Sequence, residues 1–184
     1  MLETLEKRLT YKDYEALPEG APYQLIDGEL IMTPAPTPLH QNIIGNIYQA
    51  LRTFVESRKL GRVFLSPIDV KLTDTDVYQP DLIFIRKENI PKVGRDKLNV
   101  IPDLVVEVLS PSNAFYDLTH KKMIYAERGV EEYWIVDPKD ETVEVFVRDG
   151  GRFRSEAFFK NHDILKSPKL LPDFALPLDA VFAF

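Results

Sequence analysis

Two carboxylates sit where an apolar strand would ordinarily hold none. Asp81 opens the run Leu82-Ile83-Phe84 directly after Gln79-Pro80, and Glu107 is enclosed by Leu104-Val105-Val106 and Val108-Leu109. A carboxylate among apolar neighbours is costly unless it is paired or bound to a cation. Singly, each residue fits a structural ion pair or an edge position open to solvent. Together, on neighbouring predicted strands, they fit a site. A positive charge is at hand, because Asp117, Lys121 and Tyr125 recur every four residues and so fall in one stripe on a helix face. The same spacing also occurs on solvated helices, where an Asp–Lys pair does little. With oxygen ligands and no cysteine in the chain, the cation that suits such a set is Mg²⁺ or Mn²⁺ rather than structural zinc.

The elements that would carry these residues follow from periodicity and punctuation. Residues 10–19 predict a short helix after a threonine cap. Residues 23–32 predict a hairpin turned at Asp27-Gly28. Thr33-Pro34-Ala35-Pro36 is a connector, and Thr37-Pro38 starts a helix, with a side-chain cap and then proline at the first helical position. Ile43, Ile44, Ile47, Leu51, Phe54 and Val55 recur at helical spacing until Gly61. Four apolar stretches follow at 63–72, 82–85, 104–109 and 133–136; the second and third are continuous, as in strands buried on both faces. A helix between the third and fourth runs from a cap at Ser112 or Asn113 to Gly129. Val143, Val145 and Val147 mark a further strand, which Asp149-Gly150-Gly151 turns back into residues 153–159. From about residue 165 the chain is broken by prolines and is expected to wrap the surface. This order predicts an α/β (α+β) fold: a mixed central sheet flanked by helices, with added N-terminal and C-terminal β-hairpins. No glycine-rich phosphate loop follows any strand.

Composition narrows the function classes. The chain has 184 residues, 45% hydrophobic and 28% charged, which fits one soluble domain over residues 1–184. The formal charge of -6 argues against a protein that coats nucleic acid through bulk electrostatics. It leaves room for an enzyme whose metal ions neutralise phosphates at one site. No apolar run is long enough to predict a membrane helix, and residues 1–10 lack a signal core. The absence of cysteine suits a reducing cytoplasm.

Taken in order, these motifs resemble the Uma-type restriction endonuclease family, which is placed in the PD-(D/E)XK nuclease superfamily. The resemblance is carried by Tyr23-Gln24-Leu25-Ile26-Asp27-Gly28-Glu29-Leu30, by Pro36 to His40-Gln41 and by Pro80-Asp81. It continues through Val106-Glu107-Val108-Leu109-Ser110-Pro111-Ser112, then Asp117, Lys121 and Tyr125, then Gly129-Val130-Glu131-Glu132-Tyr133-Trp134-Ile135-Val136-Asp137-Pro138. It implies a restriction-endonuclease-like core of helix, three strands, helix and strand. It implies Asp81 and Glu107 as metal-binding carboxylates in a Mg²⁺- or Mn²⁺-dependent endonuclease acting on nucleic acid, DNA first. By analogy with enzymes that cut both strands, it also implies a homodimer.

The superfamily pattern places lysine two residues after Glu107, where this chain has Leu109. The family's lysine on the following helix corresponds to Lys121, with Lys122 turned about 100° away. Asp103 shares strand parity with Glu107. The superfamily instead puts its second carboxylate on the preceding strand, at Asp81, which leaves Asp103 to end its strand in solvent. Glu29 and His40 match family positions and are secondary candidates beside Asp117 and Tyr125; an exposed turn-flanking carboxylate and a helix-start core contact are the plainer readings of Glu29 and His40. Gln24 departs from the family, where glutamate is common. Tyr133-Trp134 reads as core packing. Tyr116, Lys122 and Arg128 either contact phosphates or line a solvated helix face. Two other functions stay compatible: a binding or regulatory module that keeps the fold without cleaving, and a glycosidase built on paired carboxylates.

Overall fold

The computed structural model of the chain describes residues 8–95, 97–111 and 114–184. The first helix, α1 (Tyr11–Glu15), opens where the Thr10 backbone donates to the Asp13 carboxylate at 2.8 Å. It is shorter than expected, because Pro18 and the left-handed Gly20 (φ 77°) cannot extend it. Strands β1 (Tyr23–Ile26) and β2 (Glu29–Met32) pair antiparallel with Ile26 opposite Glu29. Asp27 and Gly28 both take positive φ, the primed turn that the Asp-Gly pair announces. This hairpin joins β4 (Val70–Lys71) and β5 (Val77–Tyr78) in a small sheet of order β2-β1-β5-β4.

Helix α2 (Pro38–Ser57) starts as its sequence dictates, with the Thr37 hydroxyl accepting from the His40 amide at 3.2 Å. It buries Ile43, Ile44, Ile47, Leu51 and Val55 along one stripe. Gly61 then opens β3 (Gly61–Leu65) with φ 154°, and a Cβ there would lie 2.0 Å from the Ile85 carbonyl oxygen. The stretch 63–72 is not one strand. Pro67, which has no amide hydrogen to donate, ends β3, and β4 belongs to the other sheet.

The central sheet adds β6 (Leu82–Arg86), β7 (Leu104–Val108), β8 (Glu132–Asp137), β9 (Thr142–Asp149) and β10 (Arg152–Lys160). Its order is β10-β9-β8-β7-β6-β3, antiparallel throughout except for the β7–β8 pair. That parallel pair needs a crossover, which two helices supply: α3 (Ala114–Leu118) and α4 (His120–Arg128). One continuous helix was expected there. Thr119 interrupts it at φ -122°, ψ -88°, and its hydroxyl donates to the Phe115 carbonyl instead. The expected cap at Ser112 or Asn113 lies outside the described residues. Gly129 ends α4 in the left-handed conformation, as anticipated.

Side chains of even parity on β6, β7 and β8 (Leu82, Phe84, Val106, Trp134) pack with α2. Those of odd parity (Ile83, Val105, Tyr133, Ile135) pack with Ile124 and Tyr125 of α4. The segment after residue 164 does more than wrap the surface. It forms β11 (Ile164–Lys166), β12 (Ala175–Pro177) and α5 (Leu178–Phe182), and buries Leu165, Leu171, Phe174, Leu176, Leu178 and Val181 in the α2 core. Single apolar residues spaced between prolines carried that burial, and no periodic pattern marks it. Among the described residues, no helix is long and apolar enough to cross a membrane.

Candidate active site

The register of β6 against β7 pairs Leu82 with Val106 and Ile83 with Val105. Continued by one residue, it sets Asp81 across from Glu107, on the face that α4 covers. Like charges directly opposite on neighbouring strands repel, so this pairing calls for compensation. Glu107 is 3% exposed, and its Oε1 accepts from Lys121 Nζ at 3.0 Å and from the Tyr125 hydroxyl at 2.9 Å. Lys121 Nζ lies 2.8 Å from Asp117 Oδ1, so the ammonium bridges two carboxylates. Asp117 comes from α3 and Lys121 from α4, yet the break at Thr119 leaves the four-residue stripe intact.

Asp81 is held from the other side. Its Oδ2 accepts the Val108 amide at 2.7 Å, and the Val108 carbonyl accepts from His40 Nε2 at 2.9 Å. Since Nε2 donates there, it carries the ring proton and also faces Asp81 Oδ2 at 3.5 Å. His40 Nδ1 is buried with no hydrogen-bond partner among the described residues. The N-terminus of α2 thus closes over the end of β7, the placement for which Thr37-Pro38 prepares the chain.

Burial dominates the electrostatics. It pushes the Glu107 carboxyl up to about 8; Lys121 opposes the shift, and Asp117 and Asp81 add to it. Burial likewise raises Asp81 to about 6 against the His40 ring and the Val108 amide. Burial alone would lower Lys121, but Glu107 and Asp117 outweigh it and hold the ammonium charged. Tyr125 and Tyr133, raised first by burial, stay protonated as donors, and the Tyr133 hydroxyl donates to the Asp117 carbonyl at 3.0 Å.

The fit to a divalent cation follows from this charge balance. Three carboxylates (Asp81, Glu107, Asp117) face one ammonium, so the ionised cluster carries two negative charges in excess. The donors free to serve a metal are hard carboxylate oxygens of Asp81 and Glu107. Among the described residues, no group of three or more His, Asp or Glu side chains is arranged to hold a metal. Two carboxylates and otherwise water match the way Mg²⁺ is commonly bound, and suit zinc poorly.

The structure therefore brings together Asp81, Glu107, Lys121, Asp117, Tyr125 and His40. It does not bring Glu29, which is exposed on β2 and enters none of these contacts. Asp103 does not end its strand in solvent. It is 7% exposed and its carboxylate accepts the Arg86 amide at 2.8 Å, a partner hidden from sequence because it lies across the sheet. Four residues of strand, about 13 Å, separate it from Glu107. Gln24 is a brace: Oε1 accepts the Gln79 amide at 2.9 Å, two residues before Asp81, and Nε2 donates to Thr33. Lys122 points elsewhere, its ammonium 3.4 Å over the Phe146 ring, and Arg128 is spent on the Leu72 carbonyl. Sequence reasoning missed Asp76, which accepts from the Tyr78 hydroxyl at 2.6 Å and meets His120 at 3.0 Å, tying the small sheet to the start of α4 beside Lys121. Nothing in the Thr73–Asp76 loop signals that role.

The family model described as "Uma2: Putative restriction endonuclease" matches residues 11–179. None of the curated proteins compared with the chain matches it. Among solved structures, the chain is similar to that of a "putative nuclease belonging to DUF820 from Anabaena variabilis", at 22% identity and a TM-score of 0.80. The alignment covers 95% of this chain and 97% of the other, and at that identity it speaks for the fold.

Proposed function

From the premise that the chain belongs to the Uma2 restriction endonuclease family, we propose that it is a metal-dependent endonuclease that hydrolyses phosphodiester bonds of nucleic acid, DNA first, at Asp81, Glu107 and Lys121. The observation that carries the proposal is the buried cluster itself, two opposed carboxylates with an ammonium 3.0 Å from one of them. Asp81 and Glu107 would hold the ion, Mg²⁺ or Mn²⁺. When bound, such an ion neutralises charge on a scissile phosphate and makes water a better nucleophile at neutral pH.

The chain's own residues divide the remaining work. Lys121 stays protonated, so it does not act as a base near neutrality. It donates hydrogen bonds to the negative charge that builds on the phosphoryl oxygens, in a buried setting where such contacts are strong. Asp117 fixes the ammonium and Tyr125 fixes the Glu107 rotamer. His40 and the Val108 amide hold Asp81. Water attacks phosphorus as the P–O bond to the departing sugar oxygen breaks, the water's proton passing through solvent to that oxygen, and no covalent enzyme intermediate is needed.

The test is cleavage of single- and double-stranded DNA in Mg²⁺ or Mn²⁺ by wild type, Asp81→Asn, Glu107→Gln and Lys121→Ala. Loss of at least about a hundredfold in each variant is expected, on the scale set by removing one transition-state donor. Undiminished cleavage by all three would refute the assignment.

A further inference from the structure

Four exposed cations gather where α2 gives way to the edge of the central sheet. Arg58 caps α2, and Lys59 follows in the left-handed conformation (φ 55°). Arg62 lies on β3, and Lys87 begins the 3₁₀ helix Lys87–Lys92 that leaves β6. Backbone contacts join the two segments. Gly61 pairs with Arg86, and the Lys87 amide donates to the Leu60 carbonyl at 2.8 Å, so Lys87 sits beside the stretch from Lys59 to Arg62. Gly61 permits that approach, since a Cβ there would strike the Ile85 carbonyl.

Neighbouring cations are already paired, Arg52 with Glu56 at 2.8 Å and Arg86 with Asp103 at 3.7 Å. Among the described residues, none of the four has a carboxylate partner. Arg58 meets only Ser57 and the Phe54 ring, its guanidinium carbon 4.0 Å from the ring centre. No acid stands from Ser57 to Arg62, and Glu88 is the one acid from Arg86 to Lys92. The helix dipole favours cations in the last turn of α2, which accounts for Arg58 and Lys59. It falls off within that turn and does not account for Arg62 or Lys87. On a chain of formal charge -6, such a group is a local field that attracts an anion.

The surroundings decide which anion. No large hydrophobic side chain is exposed from residue 54 to 62 or from 86 to 92. A protein partner would find no apolar centre there, and a lipid surface no apolar anchor. A phosphate backbone needs neither, because its contacts are ionic and independent of sequence, and duplex DNA carries a charge for about every 1.7 Å of its axis. The group also lies in line with the acid cluster. β3 is the edge strand of the sheet, and just beyond its end the Ser66 amide donates to the Asp81 carbonyl at 3.0 Å. From Arg62 to Ser66 is about 13 Å of strand, the rise of about four base pairs. We propose that Arg58, Lys59, Arg62 and Lys87 grip the phosphate backbone of duplex DNA about four base pairs from the bond presented to Asp81 and Glu107. The position of the cut bond rests on the nuclease reading above; the binding does not.

The experiment is fluorescence anisotropy in chelator, where no metal-dependent cleavage intervenes, with an end-labelled DNA duplex of mixed sequence titrated at several salt concentrations. Four phosphate contacts give log affinity against log salt a slope of about -3.6. Arg62→Gln should reduce the steepness by about 0.9, and the triple variant Lys59→Gln, Arg62→Gln, Lys87→Gln should leave a slope of about -0.9. At low salt the triple variant should bind at least about tenfold more weakly. Arg152→Gln makes the same charge change on the opposite edge strand, β10, and should leave both readings as in wild type. All four positions are exposed, so melting temperatures should not change.

No binding at low salt, a slope that the triple variant leaves unchanged, or an equal loss in Arg152→Gln overturns the inference. So does wild-type binding to polyglutamate or to phosphatidylserine vesicles as tight as to the duplex, which would make an acidic protein or a membrane the occupant. The expected binding pattern without Mg²⁺- or Mn²⁺-dependent cleavage keeps the inference and removes the nuclease reading. Metal-dependent duplex cleavage that the triple variant leaves undiminished at every salt concentration does the reverse.

Discussion

Glu132 gives the sharpest test of the electrostatic reasoning, because it sits apart from the acid cluster. It opens β8 with 0% exposure, on the face that packs against α2 and the C-terminal segment. Its Oε2 accepts the Ser167 hydroxyl at 2.6 Å, and Ser167 in turn accepts the Leu171 amide at 3.0 Å. Oε1 has no hydrogen-bond partner among the described residues. Burial pushes the carboxyl from 4.5 up to about 7, against the Ser167 hydroxyl. Below pH 4.5 the folded and unfolded chains both hold the proton, and the contribution to stability is constant. Between 4.5 and 7 only the folded chain holds it, so stability falls as pH rises and levels off above 7. At 1.36 kcal/mol per unit, the loss is at most about 3 kcal/mol. Glu132→Gln keeps the shape and the Ser167 contact but cannot ionise. Urea denaturation of both proteins from pH 5 to pH 8 in chelator reads the difference. The contributions of Asp81 and Glu107 are common to both and cancel. The variant should gain about 2.5 kcal/mol relative to wild type across that window. Parallel curves would refute the claim that burial governs this carboxylate, and would weaken the same claim for Glu107.

Other perturbations probe the cluster and its supports. Lys121→Met strips the buried Glu107 and Asp117 of the ammonium between them and should cost about 3–5 kcal/mol in chelator, measured by urea unfolding; a cost below about 1 kcal/mol would deny the buried pairing. His40→Ala orphans the Val108 carbonyl and should cost about 1–3 kcal/mol, with Mn²⁺ affinity by calorimetry falling as Asp81 loosens. Gly61→Ala drives a Cβ to 2.0 Å from the Ile85 carbonyl and should lower the melting temperature by more than any exposed glycine substitution, such as Gly150→Ala.

Much of the fold can be read before the structure because local chemistry agrees with it. Asp27-Gly28, Thr37-Pro38 and Gly129 each fix a boundary through turn, cap or left-handed geometry, and the continuous apolar runs of β6 and β7 mark strands covered on both faces. The boundaries that go astray are those set by a single residue acting against a pattern: Pro67 ending β3, Thr119 dividing α3 from α4. The C-terminal segment misleads for another reason. Its burial comes from isolated residues packing across the α2 core, and tertiary contact leaves no periodicity.

The site follows the same division. Glu107 and Asp81 stand out as charges in apolar strands, and Lys121 lies on the stripe that reaches them. Long-range partners cannot be read this way. The Arg86 amide claims Asp103, and Gln24 braces Gln79 across 55 positions of chain. Asp76 and His120 meet only because the small sheet docks beside α4.

The proposed nuclease chemistry requires that Asp81 and Glu107 form a divalent-cation site beside Lys121. Crystals soaked in Mn²⁺ and measured at the manganese absorption edge address it directly. One strong anomalous peak is expected between the Asp81 and Glu107 carboxylates, with the Lys121 ammonium retained beside Glu107 and the peak lost in Glu107→Gln. A peak elsewhere in the molecule, or none there at a concentration that supports cleavage, would contradict it.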